Sequence, residues 1–218
     1  MTMSRITSYG NNTSYGSFVG NRFEVNTLKK KLEKWLVKRL LQSDGSTTRL
    51  IESIVSSHSG VCVDVHHQEL VPKNKLDPDI GDSFGAECEL LRRISSLRTD
   101  ESVISDNVVL GRFDLFSRNL QESLLEGRIP LGVLMAKYEY KRELIWSGYQ
   151  HTDFLKVLFQ PYKLPPGYFP FKQYLMIRDN QTWFYVFELF HDKIMLDLFW
   201  SSIQTAPQWH GSGNCQGS

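Results

Sequence analysis

The sequence predicts an α+β fold with a mainly antiparallel sheet. Three observations lead there. Segments of period-two alternation recur along the chain, joined by short turns. Helical patterns are grouped before and between those segments. The last clear strand is apolar on both faces, as in a central strand covered on both sides. The chain has 218 residues, 41% hydrophobic and 22% charged, with a net charge of +1. Such values suit one globular domain. The expected division is a polar N-terminal tail over residues 1–20, a folded domain over 21–203, and a flexible Gly- and Ser-rich tail over 204–218.

The first helix is read from Val25, Leu28, Leu32, Trp35, Leu36 and Leu40, which recur at three- and four-residue steps. Lys29, Lys30, Lys31, Glu33 and Lys34 fill its other face and read as a solvated surface. Asp44-Gly45 is a turn, and the Ser46 hydroxyl can cap a short helix from Thr47 to Val55. Val61, Val63 and Val65 alternate with polar neighbours and predict a strand. His66 and His67 on it point to opposite faces and do not suggest a metal site.

After a polar connection, residues 87–97 read as a strand. Leu90, Arg92 and Ile94 share one face and Leu91 and Arg93 the other, so Arg92 lies among apolar side chains. A buried guanidinium needs a partner, in the protein or in a ligand. Asp100-Glu101 turns the chain into a returning strand over residues 102–109. A helix over residues 117–126 ends at Gly127, suited to a left-handed cap, and Pro130 opens a short helix reaching Tyr138. Leu131 and Gly132 then stand at a helix start, where free N–H groups can meet an anion.

Residues 141–149 alternate as a strand, with Arg142, Leu144 and Trp146 expected on one face. Residues 154–159 read as a further strand, followed by a proline-rich loop. Residues 172–190 form the clearest hairpin, turning at Asp179-Asn180. Glu188 interrupts its second arm on the face of Phe184, Val186 and Phe190. A carboxylate there needs ion pairing or hydrogen bonds, for structure or for function. Residues 191–200 fit either a strand or a short helix.

No Gly-rich phosphate loop, serine nucleophile elbow or paired CxxC is present. Cys62, Cys88 and Cys215 are widely spaced and odd in number, which suits reduced thiols in the cytoplasm. No apolar run approaches the roughly 20 residues that span a bilayer. The small net charge argues against broad nucleic-acid or membrane-surface binding.

In order and spacing, Leu91-Arg92-Arg93-Ile94, Pro130-Leu131-Gly132 and Phe187-Glu188-Leu189-Phe190 resemble the chorismate lyase family. The Asp44 to Arg49 segment looks like its early ligand-covering segment, and Lys141 to Gly148 like the strand after its helical flap. The resemblance covers about residues 30 to 190 and is nearer to a divergent branch found in plastids and cyanobacteria. It implies an antiparallel sheet with helices flanking and covering an internal ligand site. It also implies cleavage of chorismate to 4-hydroxybenzoate and pyruvate, a carbon–oxygen lyase reaction feeding quinone or other aromatic biosynthesis, without cofactor or metal. The protein would be cytoplasmic, or stromal if plastid-encoded, with no obligate protein partner and no nucleic acid.

By the same resemblance Arg92 would hold the ring carboxylate, with Leu131 and Thr47 completing its cradle. Glu188 would meet the ring hydroxyl, as a proton-handling or orienting group. For the second carboxylate, strand parity nominates Arg142, then Arg93 or Arg49. The family often has an acid where Arg93 stands, and an apolar residue near Thr47. Effector domains of some transcription regulators share the fold and bind small molecules without catalysis. Such regulators usually carry a winged helix ahead of the domain. A tail and one long helix leave no room for it in these 218 residues, so the sequence favours the enzyme. A related chorismate-using enzyme with another product is the remaining expectation.

Overall fold

The computed structural model describes residues 22–43, 46–54, 60–99 and 102–205. The expected tail over 1–20, the Asp44-Gly45 and Asp100-Glu101 turns, and the expected tail over 204–218 apart from its first two residues lie outside the described residues; Gln204 and Thr205 close the helix that follows the last strand. Six antiparallel strands form one sheet: β1 (Cys62–Pro72), β2 (Glu89–Thr99), β3 (Ser102–Arg112), β4 (Lys141–His151), β5 (Tyr168–Arg178) and β6 (Gln181–Phe190). Their spatial order is β1-β2-β3-β6-β5-β4. Helices α1 (Arg22–Gln42), α2 (Thr47–Ile54), α3 (Pro78–Asp82), α4 (Arg118–Glu126), α5 (Leu131–Leu134), α6 (Lys156–Phe159) and α7 (Asp192–Thr205) flank it. This is the α+β architecture that the alternating segments predict.

The two faces of the sheet follow residue parity. Leu90, Ile94, Leu110, Tyr185 and Phe187 pack on one face, beneath α3 and the residues around α6. Leu91, Val109, Tyr174, Phe184 and Val186 pack on the other, with Leu120 and Leu124 of α4 and Leu134 of α5. A third cluster joins Leu40 of α1, Ile51 of α2 and Met195 of α7 to Leu97 and Phe190 at one end of the sheet. Burial of such apolar side chains contributes about 1.5–3 kcal/mol each, so these contacts hold the helices on the sheet.

Several local expectations meet a correction. Residues 154–159 are not a strand: a 3-10 turn over Thr152–Leu155 runs into α6. The His151 ring nitrogen accepts the Asp153 N–H and caps that turn, a local bond that alternation cannot show. The polar connection after β1 holds α3, with Asp77 as N-cap and Pro78 at its first position. Residues 192–205 are helical, which resolves the ambiguity after β6. In β4 a bulge falls between Leu144 and Trp146. It turns Trp146 away from the face of Arg142 and Leu144 and onto Phe171, ring centroids 5.9 Å apart.

Gly127 ends α4 with φ +67, as a left-handed cap requires. Asp179 and Asn180 take φ of 52 and 58 at the β5–β6 turn. Positive φ at both central residues suits the twist of a tight hairpin.

Candidate functional site

A small cavity, with about 30 Å³ of free space, lies between the sheet and the starts of α2 and α5. Its floor follows from the register. Ser95 pairs with Asn107, Asn107 with Glu188, and Glu188 with Lys172, giving one polar row across β2, β3, β6 and β5. The next row runs Arg93, Val109, Val186, Tyr174 and Leu144. Arg142 enters one row further along, on the edge strand. Thr47, Thr48, Leu131 and Gly132 form the lid side. The lid is closely fitted: a Cβ on Gly132 would stand 2.5 Å from Ser46 Oγ and 3.0 Å from Thr48 Oγ1.

Glu188 is held from three sides. Thr47 Oγ1 donates to its Oε2 at 2.8 Å, and Lys172 Nζ to the same oxygen at 3.2 Å. Tyr174 OH donates to Oε1 at 3.2 Å. Lys172 also donates to the Leu40 carbonyl at 3.0 Å and to Thr47 Oγ1 at 3.2 Å. Burial pushes the Lys172 ammonium below the ordinary lysine range and the Arg142 charge adds to this, while Glu188 opposes both. Burial raises the Tyr174 hydroxyl well above the usual phenol range, and the Glu188 carboxylate beside it acts in the same direction.

Two guanidinium groups complete the site. Arg93 is 2% exposed and donates from Nε to Gln68 Oε1 at 2.7 Å and from Nη2 to the Leu124 carbonyl. Both acceptors are neutral, and burial brings its pKa down to about 10. Arg142 lies over the Tyr174 ring at 4.8 Å and the Tyr140 ring at 5.7 Å. Burial pulls its pKa down, but the Tyr174 and Tyr140 hydroxyls and the Glu188 carboxylate outweigh that and set it above the ordinary arginine range.

The structure therefore brings together four of the expected residues: Thr47, Leu131, Arg142 and Glu188. Arg92 is elsewhere. Its register partner is Leu110, whose own partner is Tyr185, so it faces the opposite side of the sheet. There it pairs with Glu69 at 3.0 Å and donates to the Leu158 and Gln160 carbonyls at 2.8 and 2.5 Å. The arginine of this strand that lines the cavity is Arg93, one residue along and one face over. Arg49 is exposed and does not line the cavity.

Lys172 and Tyr174 are site residues that sequence reasoning missed. The available signal was a lone lysine inside the apolar run of β5, on the parity of Tyr174 and Met176. Among the described residues no cluster of His, Cys, Asp and Glu could hold a metal ion. No helix of the described residues is long and apolar enough to cross a membrane.

No family model matches the chain, and no curated protein matches it. A GntR-family transcriptional regulator from Bacillus cereus is similar with TM-score 0.44 and 11% identity, over 60% of this chain and 90% of that one. The effector domain of PhnF from Mycobacterium smegmatis gives 0.46 and 12%, over 67% and 88%. The gene product SA0254 from Staphylococcus aureus gives 0.48 and 7%, over 69% and 90%.

Proposed function

We propose that the domain binds a small organic anion in the cavity beneath α2 and α5. One observation carries this: Arg93 and Arg142 line one cavity with a single carboxylate, Glu188, which is itself paired with Lys172. Beyond the Lys172–Glu188 pair the cavity wall carries two guanidinium groups, those of Arg93 and Arg142. A planar fork suits carboxylates, so a dicarboxylate with an apolar or ring body is the favoured class. Tyr174, Val109 and Val186 supply the surface for that body. Binding, not turnover, is the leading reading because Glu188 already accepts hydrogen bonds from Thr47, Lys172 and Tyr174. With three donors on it, the carboxylate is held in place as a hydrogen-bond acceptor.

The second reading is a chorismate-cleaving lyase. The specific observation in its favour is that a hydrogen-bonded carboxylate and two arginines share one cavity with the Pro130-Leu131-Gly132 corner. Elimination of pyruvate aromatises the ring, so orientation and exclusion of water would suffice. Calorimetric titration with chorismate and with 4-hydroxybenzoate tests the binding reading; heat without saturation for both and for other ring dicarboxylates would refute it. Chromatography of chorismate incubations separates the two readings. Release of 4-hydroxybenzoate and pyruvate above the spontaneous rate establishes the lyase, and binding without release establishes the binding domain.

A further inference from the structure

We infer that the outer face of α1 is a docking surface for an anionic lipid layer, independent of the cavity. The helix buries Leu36, Val37, Leu40 and Leu41 against the domain. Its opposite arc carries two large apolar side chains in the open, Leu28 at 68% and Trp35 at 51% exposed. Seven residues separate them, so they fall on one line within about 20°. They stand about 10.5 Å apart along the axis. Lys31, Lys34 and Lys38 border that line on one side and Arg39 on the other, and all four are exposed. Arg39 stacks over the Trp35 ring at 5.4 Å.

The net charge of +1 hides this asymmetry. Residues 26–42 hold six basic residues against Glu33 alone, whereas the chain as a whole has 25 basic and 24 acidic residues. The rest of the chain is therefore net acidic, and the positive charge is gathered on one helix. Glu33 does not dilute it. Its carboxylate is turned toward α7, accepting from Trp200 Nε1 at 3.1 Å, with Lys29 at 3.9 Å.

Charge and shape together select the partner. A helix lying along a flat surface presents one line of side chains to it, and here that line is Leu28 and Trp35. Trp settles at the headgroup level, where its ring is apolar and its N–H remains wet. The flanking lysines meet lipid phosphates, each worth about a fivefold gain in affinity near an anionic surface. Duplex nucleic acid would use the lysines but leave both apolar side chains without a partner. The arrangement is that of a helix resting in the interface, not one that spans it.

The test uses the full chain with vesicles of phosphatidylcholine alone and of phosphatidylcholine with about one third phosphatidylglycerol. Co-sedimentation is expected with the anionic vesicles only, weakening as salt rises. Trp35→Ala is expected to reduce binding about tenfold, and combined Lys31→Glu, Lys34→Glu and Lys38→Glu by about a hundredfold or more. In wild type, bromine-labelled lipid is expected to quench part of the tryptophan emission, and Trp35→Phe to remove that part. This readout stands even if the triple variant misfolds. Equal sedimentation with neutral and anionic vesicles overturns the inference. So does binding to a single-stranded oligonucleotide as tight as to anionic vesicles.

Discussion

Lys172 and Glu188 face each other across the β5–β6 hairpin, Nζ to Oε2 3.2 Å, with the lysine side chain fully buried. Two charges taken out of water are tolerable only with good mutual geometry and their remaining hydrogen bonds made. Both conditions hold. The Leu40 carbonyl and Thr47 hydroxyl take further bonds from the ammonium, and Thr47 and Tyr174 donate to the carboxylate. The pair thus ties α1 and α2 to the sheet at the edge of the cavity.

Removing one member is therefore expected to cost more than removing both. Lys172→Met leaves Glu188 buried without its cation, a loss of about 3–5 kcal/mol in urea unfolding. Adding Glu188→Leu is expected to recover part of that loss, because the buried carboxylate goes with its cation, while Arg142 loses the carboxylate beside it. A double variant as unstable as the single one would show that the pair is not what Lys172 contributes.

Arg92 and Arg93 separate stability from binding. Arg93→Met removes a buried cation from the cavity and is expected to weaken anion binding by about 2–4 kcal/mol, read by calorimetry. Arg92→Met frees the Leu158 and Gln160 carbonyls and Glu69 on the opposite face. It is expected to lower the unfolding temperature while binding stays within about twofold of wild type, since Arg92 does not line the cavity beneath α2 and α5. The reverse pattern would restore Arg92 to the site.

The difference between those two arginines shows where sequence reading stops. The alternation over residues 87–97 correctly placed them on opposite faces, and the parity of Glu188 with Val186 and Phe190 was also legible. Which face of β2 meets which face of β6 was not, because β3 lies between them and sets the register of both. Lys172 shows a second limit. Counting back from the Asp179-Asn180 turn without interruption would put it opposite Phe187. A bulge between Met176 and Ile177 moves it opposite Glu188. Likewise the bulge at Ile145 sends Trp146 to the far face. Local alternation reports faces, but one inserted residue changes partners.

Tyr174 gives the site a signature in alkali. Its folded-state pKa lies well above the ordinary 10.0, through burial first and Glu188 next. Above pH 10.0 the unfolded chain releases the Tyr174 proton while the folded chain retains it, so the native state binds more protons. This contribution to stability is complete below that pH and is lost as pH rises beyond it. Tyr174→Phe is expected to flatten the fall in unfolding temperature above pH 10, compared with wild type. An unchanged slope would mean that Tyr174 does not stay protonated in the folded chain.

Thr47 makes the most direct link between lid and floor. It is the first residue of α2, 2% exposed, and its one hydroxyl donates to Glu188 at 2.8 Å while accepting from Lys172 at 3.2 Å. Thr47→Val keeps the branched shape and removes both bonds, leaving the ammonium one acceptor short and the carboxylate one donor short. Unmet buried groups cost about 1–3 kcal/mol. The loss is expected to fall on α2, because this short helix is otherwise held by Ile51 and Leu50 and by its contact with α5. Hydrogen exchange is the discriminating measurement. Amides of α2 are expected to exchange faster by about tenfold or more, while those of β5 and β6 keep their protection. Anion affinity is expected to fall with α2 protection, since a lid that stays open closes on ligand at a cost. Faster exchange throughout the sheet would instead make Thr47 part of the global core. Unchanged exchange in α2 would mean that its hydroxyl does not hold the lid.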